Sequence, residues 1–296
     1  MIEKFLDPSA LSRIDNYDLL ARTVVEGFVS GLHKGLFHGF GSEFVQYRNY
    51  NRGDDLKHVD WKAYSRSGRL QVKVFQEETN CNCYVVLDSS ASMAYAGEGR
   101  VSKLHYGKML AASLAYLVNR QGDNVGLFGY SDRLRAEVPP GHRSDQLHRI
   151  CVELARLEAE GGCSHRSVLN YLGEHFNRRG IIIMISDFLD PDEELMKALK
   201  RFRAGHHEVV LFQLLDDDEL DFEMSGSVRF VDSESGNELV TAPEVVRETY
   251  KAAFDECRQK LEHDAVRNNI DYMMLRTSAP LDGAMAAYLH RRENFQ

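Results

Sequence analysis

The sequence predicts an α/β chain: a doubly wound, mostly parallel sheet preceded by a small α+β N-terminal segment. Three observations carry this expectation. From residue 81 onward, short apolar runs alternate with amphipathic stretches of helical period, the order that builds a parallel sheet covered on both faces. Two of those runs, Tyr84-Val85-Val86-Leu87 and Ile181-Ile182-Ile183-Met184-Ile185, are followed closely by a carboxylate, Asp88 and Asp187. Before residue 80 the texture differs, with a glycine-rich stretch and dense Arg and Asp. The expected division is therefore 1–80 and 81–296.

Composition narrows the function classes. Of 296 residues, 43% are hydrophobic and 27% charged, the balance of an ordinary soluble globular protein. A net charge of −9 argues against a general nucleic-acid binder, whose phosphate contacts need a basic face. No apolar run approaches the roughly 20 residues that span a bilayer. The first residues also lack the charged-then-apolar order of a signal peptide, so a cytoplasmic location is expected. Five widely spread cysteines read as reduced thiols, because the one-residue spacing of Cys81 and Cys83 suits a zinc half-site poorly.

In the N-terminal segment, Leu19, Leu20, Val24, Val25 and Phe28 recur at helical spacing within 8–30. Four glycines mark 31–42 as a loop or open strand, 43–50 alternates like a strand, and 51–55 is a turn. A short helix should run through Tyr64, and a strand over 70–75. The charges around Tyr47, Tyr50 and Trp61 (Arg48, Arg52, Asp54, Asp55, Asp60, Arg66, Arg69) read as pinning a small subdomain against its neighbour. His33, His38 and His58 lack ligand-like spacing.

Beyond 80, the strand ending at Leu87 precedes a helix near 101–119, and 124–130 is a strand with a short edge strand at 134–138. Helices are expected over 143–158 and 165–178, then the second carboxylate-tipped strand, then a helix opened by Asp190-Pro191. A strand over 209–215 leads to the acidic run Asp216-Asp217-Asp218-Glu219, which reads as a solvated loop. Residues 226–240 look like a hairpin insertion. Thr241 and Glu244 read as a capping box for a long helix to about 264. A strand over 270–275 and a short helix close the chain.

Asp88, Ser90 and Ser92 alternate at a strand end, so one turn can aim three oxygens at a point. Hard oxygen donors of this kind suit a small hard cation. In an open parallel sheet, ligands bind outside the carboxyl ends of the strands, where Asp187 and the loop Gly161-Gly162-Cys163-Ser164 also fall.

Asp88-x-Ser90-x-Ser92-Met93, a hydroxyl after a Gly-Gly turn, and Ile185-Ser186-Asp187 together resemble the metal-ion-dependent adhesion site of von Willebrand factor A domains. Upstream, Glu43-Phe44, Tyr47-Arg48-x-Tyr50, Gly53-Asp54-Asp55, His58-x-Asp60-Trp61, Ser65-Arg66 and Val72-Lys73-x-Phe75 resemble the signature of the DUF58 family, whose members join such a segment to an A-type domain. The resemblance implies a von Willebrand factor A-like fold and a non-enzymatic binding module. It implies magnesium or manganese held by Ser90, Ser92 and a further hydroxyl, with Asp88 and Asp187 acting largely through water. An acidic group of a protein partner then completes the coordination. The implied partner is an AAA+ ATPase of the MoxR type, in chaperone-like assembly or maturation.

One position departs from the pattern. Cys163 stands where threonine is expected, and a soft thiol is a poor magnesium ligand. Either Ser164 supplies the third hydroxyl with a one-residue shift, or the ion is held weakly. Two rival readings use the same rim: a metal-dependent phosphoesterase, and a scaffold whose metal site has degenerated.

Overall fold

A computed structural model describes residues 7–31, 46–49, 61–74, 81–163, 165–176, 178–189, 193–233 and 236–293. The chain divides into two units, one of Met1–Gly31 with Cys81–Gln296 and one of Leu32–Asn80.

The first helices are α1 (Pro8–Leu11) and α2 (Tyr17–Gly31). The single helix expected over 8–30 is broken because Asn16 Oδ1 accepts the N–H groups of Asp18 and Leu19, capping a new start. Leu20, Ala21, Val24 and Val25 form the fully buried stripe of α2, and it packs on α4 (Lys103–Arg120) and α5 (Gln146–Arg156). That packing places α2 with the body of the chain, whereas the sequence draws one segment over 1–80.

In the smaller unit, β1 (Gln46–Asn49) pairs antiparallel with β2 (Gln71–Val74), with α3 (Trp61–Ser67) between them in sequence. The turn read at 51–55, much of the charge set there, and His33, His38 and His58 lie outside the described residues.

The larger unit is built on a six-stranded sheet. Its strands are β3 (Asn82–Asp88), β4 (Asn124–Tyr130), β5 (Leu134–Gly141), β6 (Gly180–Ser186), β7 (Glu208–Leu215) and β10 (Asp271–Arg276). Their order is β10-β7-β6-β3-β4-β5, and every pairing is parallel except β4 with edge strand β5. The fold is the mostly parallel α/β architecture expected. Both β3 and β6 are buried along their whole length, which is why they read as unbroken apolar runs instead of alternating ones.

Between the strands run α4, α5, α6 (His165–His175) and α7 (Glu193–Ala204). One face of the sheet buries Tyr84, Val86, Phe128, Ile182, Met184 and Leu211 against Leu172, Phe176, Leu195 and Phe202. Tyr84 and Phe176 stack with ring centroids 4.0 Å apart. After β7 come α8 (Asp217–Asp221), β8 (Val228–Val231) and β9 (Glu238–Thr241), then α9 (Pro243–Arg267) and, after β10, α10 (Asp282–Glu293). Strands β8 and β9 form the antiparallel hairpin expected there.

Thr241 is not the cap of α9. Ala242 occupies that position without a side-chain bond, and Glu244 Oε1 accepts instead from the Gly226 N–H at 3.0 Å. No described helix is long and apolar enough to cross a membrane.

Candidate functional site

Strand β3 ends at Asp88, which is wholly buried, as are Ser89 and Ser90. The chain then turns through a 3-10 helix, Ala91–Ala94, anchored by the buried Met93. Asp88 shapes this turn: its Oδ1 accepts the Ser90 N–H at 2.8 Å. Its other oxygen accepts the Ser186 hydroxyl at 2.6 Å and lies 3.6 Å from the Cys163 sulfur. Ser90 Oγ and Ser92 Oγ are 3.1 Å apart.

The Gly161 loop is strapped onto the same rim by backbone bonds. Ala91 N–H donates to the Gly161 carbonyl at 2.8 Å, and Glu160 N–H to the Ser89 carbonyl at 3.0 Å. Gly161 takes a φ of 75°, a conformation that favours glycine. Ser164 lies outside the described residues. Cys163 itself is half-buried, and none of the five cysteines forms a disulfide.

Asp187 follows β6 directly and is 4% exposed. The next residue, Phe188, has a φ of 45° and a buried ring, and its N–H donates to Ser186 Oγ at 3.1 Å. Burying the ring offsets a left-handed backbone that costs a non-glycine residue roughly 1–2 kcal/mol. The Asp187 carbonyl accepts Gln213 Nε2 at 2.7 Å, and Gln213 Oε1 in turn accepts the Tyr272 hydroxyl at 2.6 Å.

Asp88, Ser90, Ser92 and Asp187 therefore share one rim. Burial, and after it the charge of Asp187, raises the Asp88 carboxyl above its ordinary range, against the bonds from Ser186 and Ser90.

Sequence reasoning missed a cation at this rim. Lys103, the first residue of α4 after its cap Ser102, is fully buried. Its Nζ donates to Asp187 Oδ2 at 2.8 Å and Glu219 Oε1 at 2.6 Å, and lies 5.9 Å from the Tyr95 ring centre. Burial alone would lower the ammonium's pKa, but the charges of Asp187 and Glu219 raise it overall. A lysine at a helix start ordinarily reads as exposed, and only its partners at 187 and 219 reveal its role. Ser186 was legible as part of the strand-end motif but not as the donor to Asp88.

The acidic run is not a solvated loop. Asp216 caps α8 and is wholly buried, accepting from Arg100 Nη2 at 2.7 Å, Gly97 N–H at 3.1 Å and Thr277 Oγ1 at 3.2 Å. Asp218 pairs with Arg100 at 2.7 Å, Glu219 with Lys103, and Asp217 and Asp221 with Arg276. The Arg100 and Lys103 pairs fasten the segment leading from the serine turn into α4, and the Arg276 pairs tie α8 to the end of β10.

The donors present suit a small hard dication. Neighbouring oxygens around an octahedral ion with bonds near 2.0–2.1 Å lie about 3 Å apart, and the two serine hydroxyls stand at 3.1 Å. Among the described residues no cluster of three or more His, Cys, Asp or Glu side chains is arranged to hold a metal.

A family model described as "Protein of unknown function DUF58" matches residues 46–260. The uncharacterized protein Rv1480 of Mycobacterium tuberculosis is 27% identical over 233 residues, 78% of this chain and 73% of its own. Among solved structures, the conserved hypothetical protein BatB from Bacteroides thetaiotaomicron is 15% identical with a TM-score of 0.49, covering 73% of this chain and 98% of that one. The vWF domain of the type V pili tip protein Mfa5 from Porphyromonas gingivalis is 12% identical with a TM-score of 0.38, covering 73% and 96%.

Proposed function

The chain belongs to the DUF58 family, and on that premise we propose that it is a non-enzymatic protein-interaction module working through the rim of Asp88, Ser90, Ser92 and Asp187. The observation that carries the reading is the pair of serine hydroxyls 3.1 Å apart above a buried carboxylate. Ser90 and Ser92 would hold magnesium or manganese directly, and Asp88 and Asp187 would balance its charge from behind. A hard dication so held offers an exchangeable position to a carboxylate of a partner.

The residues themselves favour holding over turnover. Both Asp88 oxygens accept bonds, from Ser90 N–H and Ser186 Oγ, and so the carboxylate serves to hold the turn. Asp187 is engaged by Lys103. A phosphoesterase at this rim would need one of these aspartates as its general base, and both already make structural bonds.

The family resemblance points to an AAA+ ATPase of the MoxR type as the partner, acting with this chain in assembly or maturation of other proteins. Calorimetry with magnesium and manganese tests the ion: binding that survives Asp88→Ala combined with Asp187→Ala sinks it. Co-purification of such an ATPase with the wild type, lost in Ser90→Ala/Ser92→Ala, supports the partner; retention in that variant removes the rim from the interaction. Phosphoester turnover abolished by Asp88→Ala would favour the hydrolase instead.

A further inference from the structure

We propose that Lys103 is a resident cation of the rim, an internal competitor that sets how tightly the site holds a divalent ion. The inference rests on the dication reading above, but it concerns a residue which that reading does not use.

Its placement is costly on two counts. An ammonium at a helix N-terminus opposes the helix dipole, and taking it out of water carries a desolvation penalty that only close partners offset. Lys103 is nevertheless fully buried at the first position of α4. It is held from two sides, by Asp187 Oδ2 at 2.8 Å and Glu219 Oε1 at 2.6 Å, so it cannot swing away from the rim without leaving a buried carboxylate uncompensated. Glu219 is itself fixed, since its other oxygen accepts the Asp216 N–H at 2.8 Å in the capping box of α8.

Charge then decides the effect. Asp88, Asp187 and Glu219 are three carboxylates, and among the described residues Lys103 is the ammonium in contact with two of them. A dication approaching Asp187 meets an oxygen already engaged and a like charge behind it, in surroundings that screen poorly. Lys103 thereby lowers affinity and keeps the ion exchangeable. It also preserves the shape of the rim when no ion is bound, because Asp187 always has a cation beside it.

The test is manganese binding, by calorimetry and by the rise in melting temperature on adding the ion. The proteins compared are wild type, Lys103→Arg, Lys103→Met and Lys103→Met/Glu219→Gln. The double variant removes one charge of each sign, so it guards against misfolding from an unpaired carboxylate. Lys103→Met should bind manganese at least about tenfold more tightly than wild type and gain more thermal stability from it, and the double variant, which frees Asp187 but gives up the Glu219 charge, should show a smaller gain. Lys103→Arg, which keeps the charge, should match wild type. Wild-type binding with no gain in either methionine variant overturns the role of Lys103 and leaves the dication reading standing. Binding in those variants but not in wild type supports Lys103 as the competitor while removing the ion from the native module. No binding in any of the proteins removes both.

Discussion

Arg100 Nη2 lies 2.7 Å from Asp216 Oδ1, joining the segment that enters α4 to the end of β7 across 116 positions of sequence. Asp216 is wholly buried, so removing its carboxylate leaves Arg100, Thr277 and the Gly97 N–H without their shared acceptor. Asp216→Ala should cost about 3 kcal/mol, the scale for breaking a buried ion pair, measured by urea denaturation. Burial pushes the Asp216 carboxyl up, but Arg100 and the Asp218 and Gly97 N–H groups hold it below the ordinary 3.8. Its folded pKa lies under the unfolded one, so its contribution is complete above about pH 4 and fades as pH falls through the folded value. Asp216→Asn should lose that part of the acid dependence in melting curves; an unchanged profile would contradict it.

Cys163 Sγ stands 3.6 Å from Asp88 Oδ2, at the loop where the family resemblance expects a threonine. Replacing soft sulfur with a hard oxygen donor should favour magnesium. Cys163→Thr should leave the melting temperature nearly unchanged and raise magnesium affinity severalfold by calorimetry. Equal affinity would show that this position does not reach the ion.

Gly180 opens β6 beside the start of β3, and a Cβ there would overlap the carbonyl oxygen of Asn82. Because the obstacle is backbone, the strands must part. Gly180→Ala should destabilise by at least about 2 kcal/mol, toward the upper range for overpacking. Denaturation midpoints check this, and a neutral result would mean the two strands yield locally.

Much of the architecture was legible because buried parallel strands write themselves as apolar runs. The runs ending near Leu87 and Ile185 became β3 and β6, and both aspartates reached one rim. The acidic run 216–219 was not legible as an internal network. Its partners Arg100 and Lys103 lie more than a hundred residues upstream, and only the sheet order brings them together. The break before α2 had a local signal in Asn16, and the helical period that suggested one helix begins only at Leu19. Thr241 and Glu244 had the spacing of a capping box, but the hairpin before α9 presents the Gly226 N–H to Glu244 first.

That last difference is measurable. Thr241→Ala should change stability by no more than about 0.5 kcal/mol, as for an ordinary surface position. Glu244→Ala should instead speed hydrogen exchange at the Gly226 amide. Protection of that amide in the variant would show that Glu244 is not its acceptor.

The amide of Gln213 sits between the Asp187 carbonyl and the Tyr272 hydroxyl, giving a proton to one and taking one from the other. Rotating that amide by half a turn would set its oxygen against the Asp187 carbonyl oxygen, whereas the phenol could turn its proton away and accept from the nitrogen. The backbone carbonyl of Asp187, which can only accept, thus fixes the polarity of a chain of bonds that ends at the Tyr272 phenol on edge strand β10. The state of the rim is carried outward to the margin of the sheet as a direction of donation, without any atom having to move.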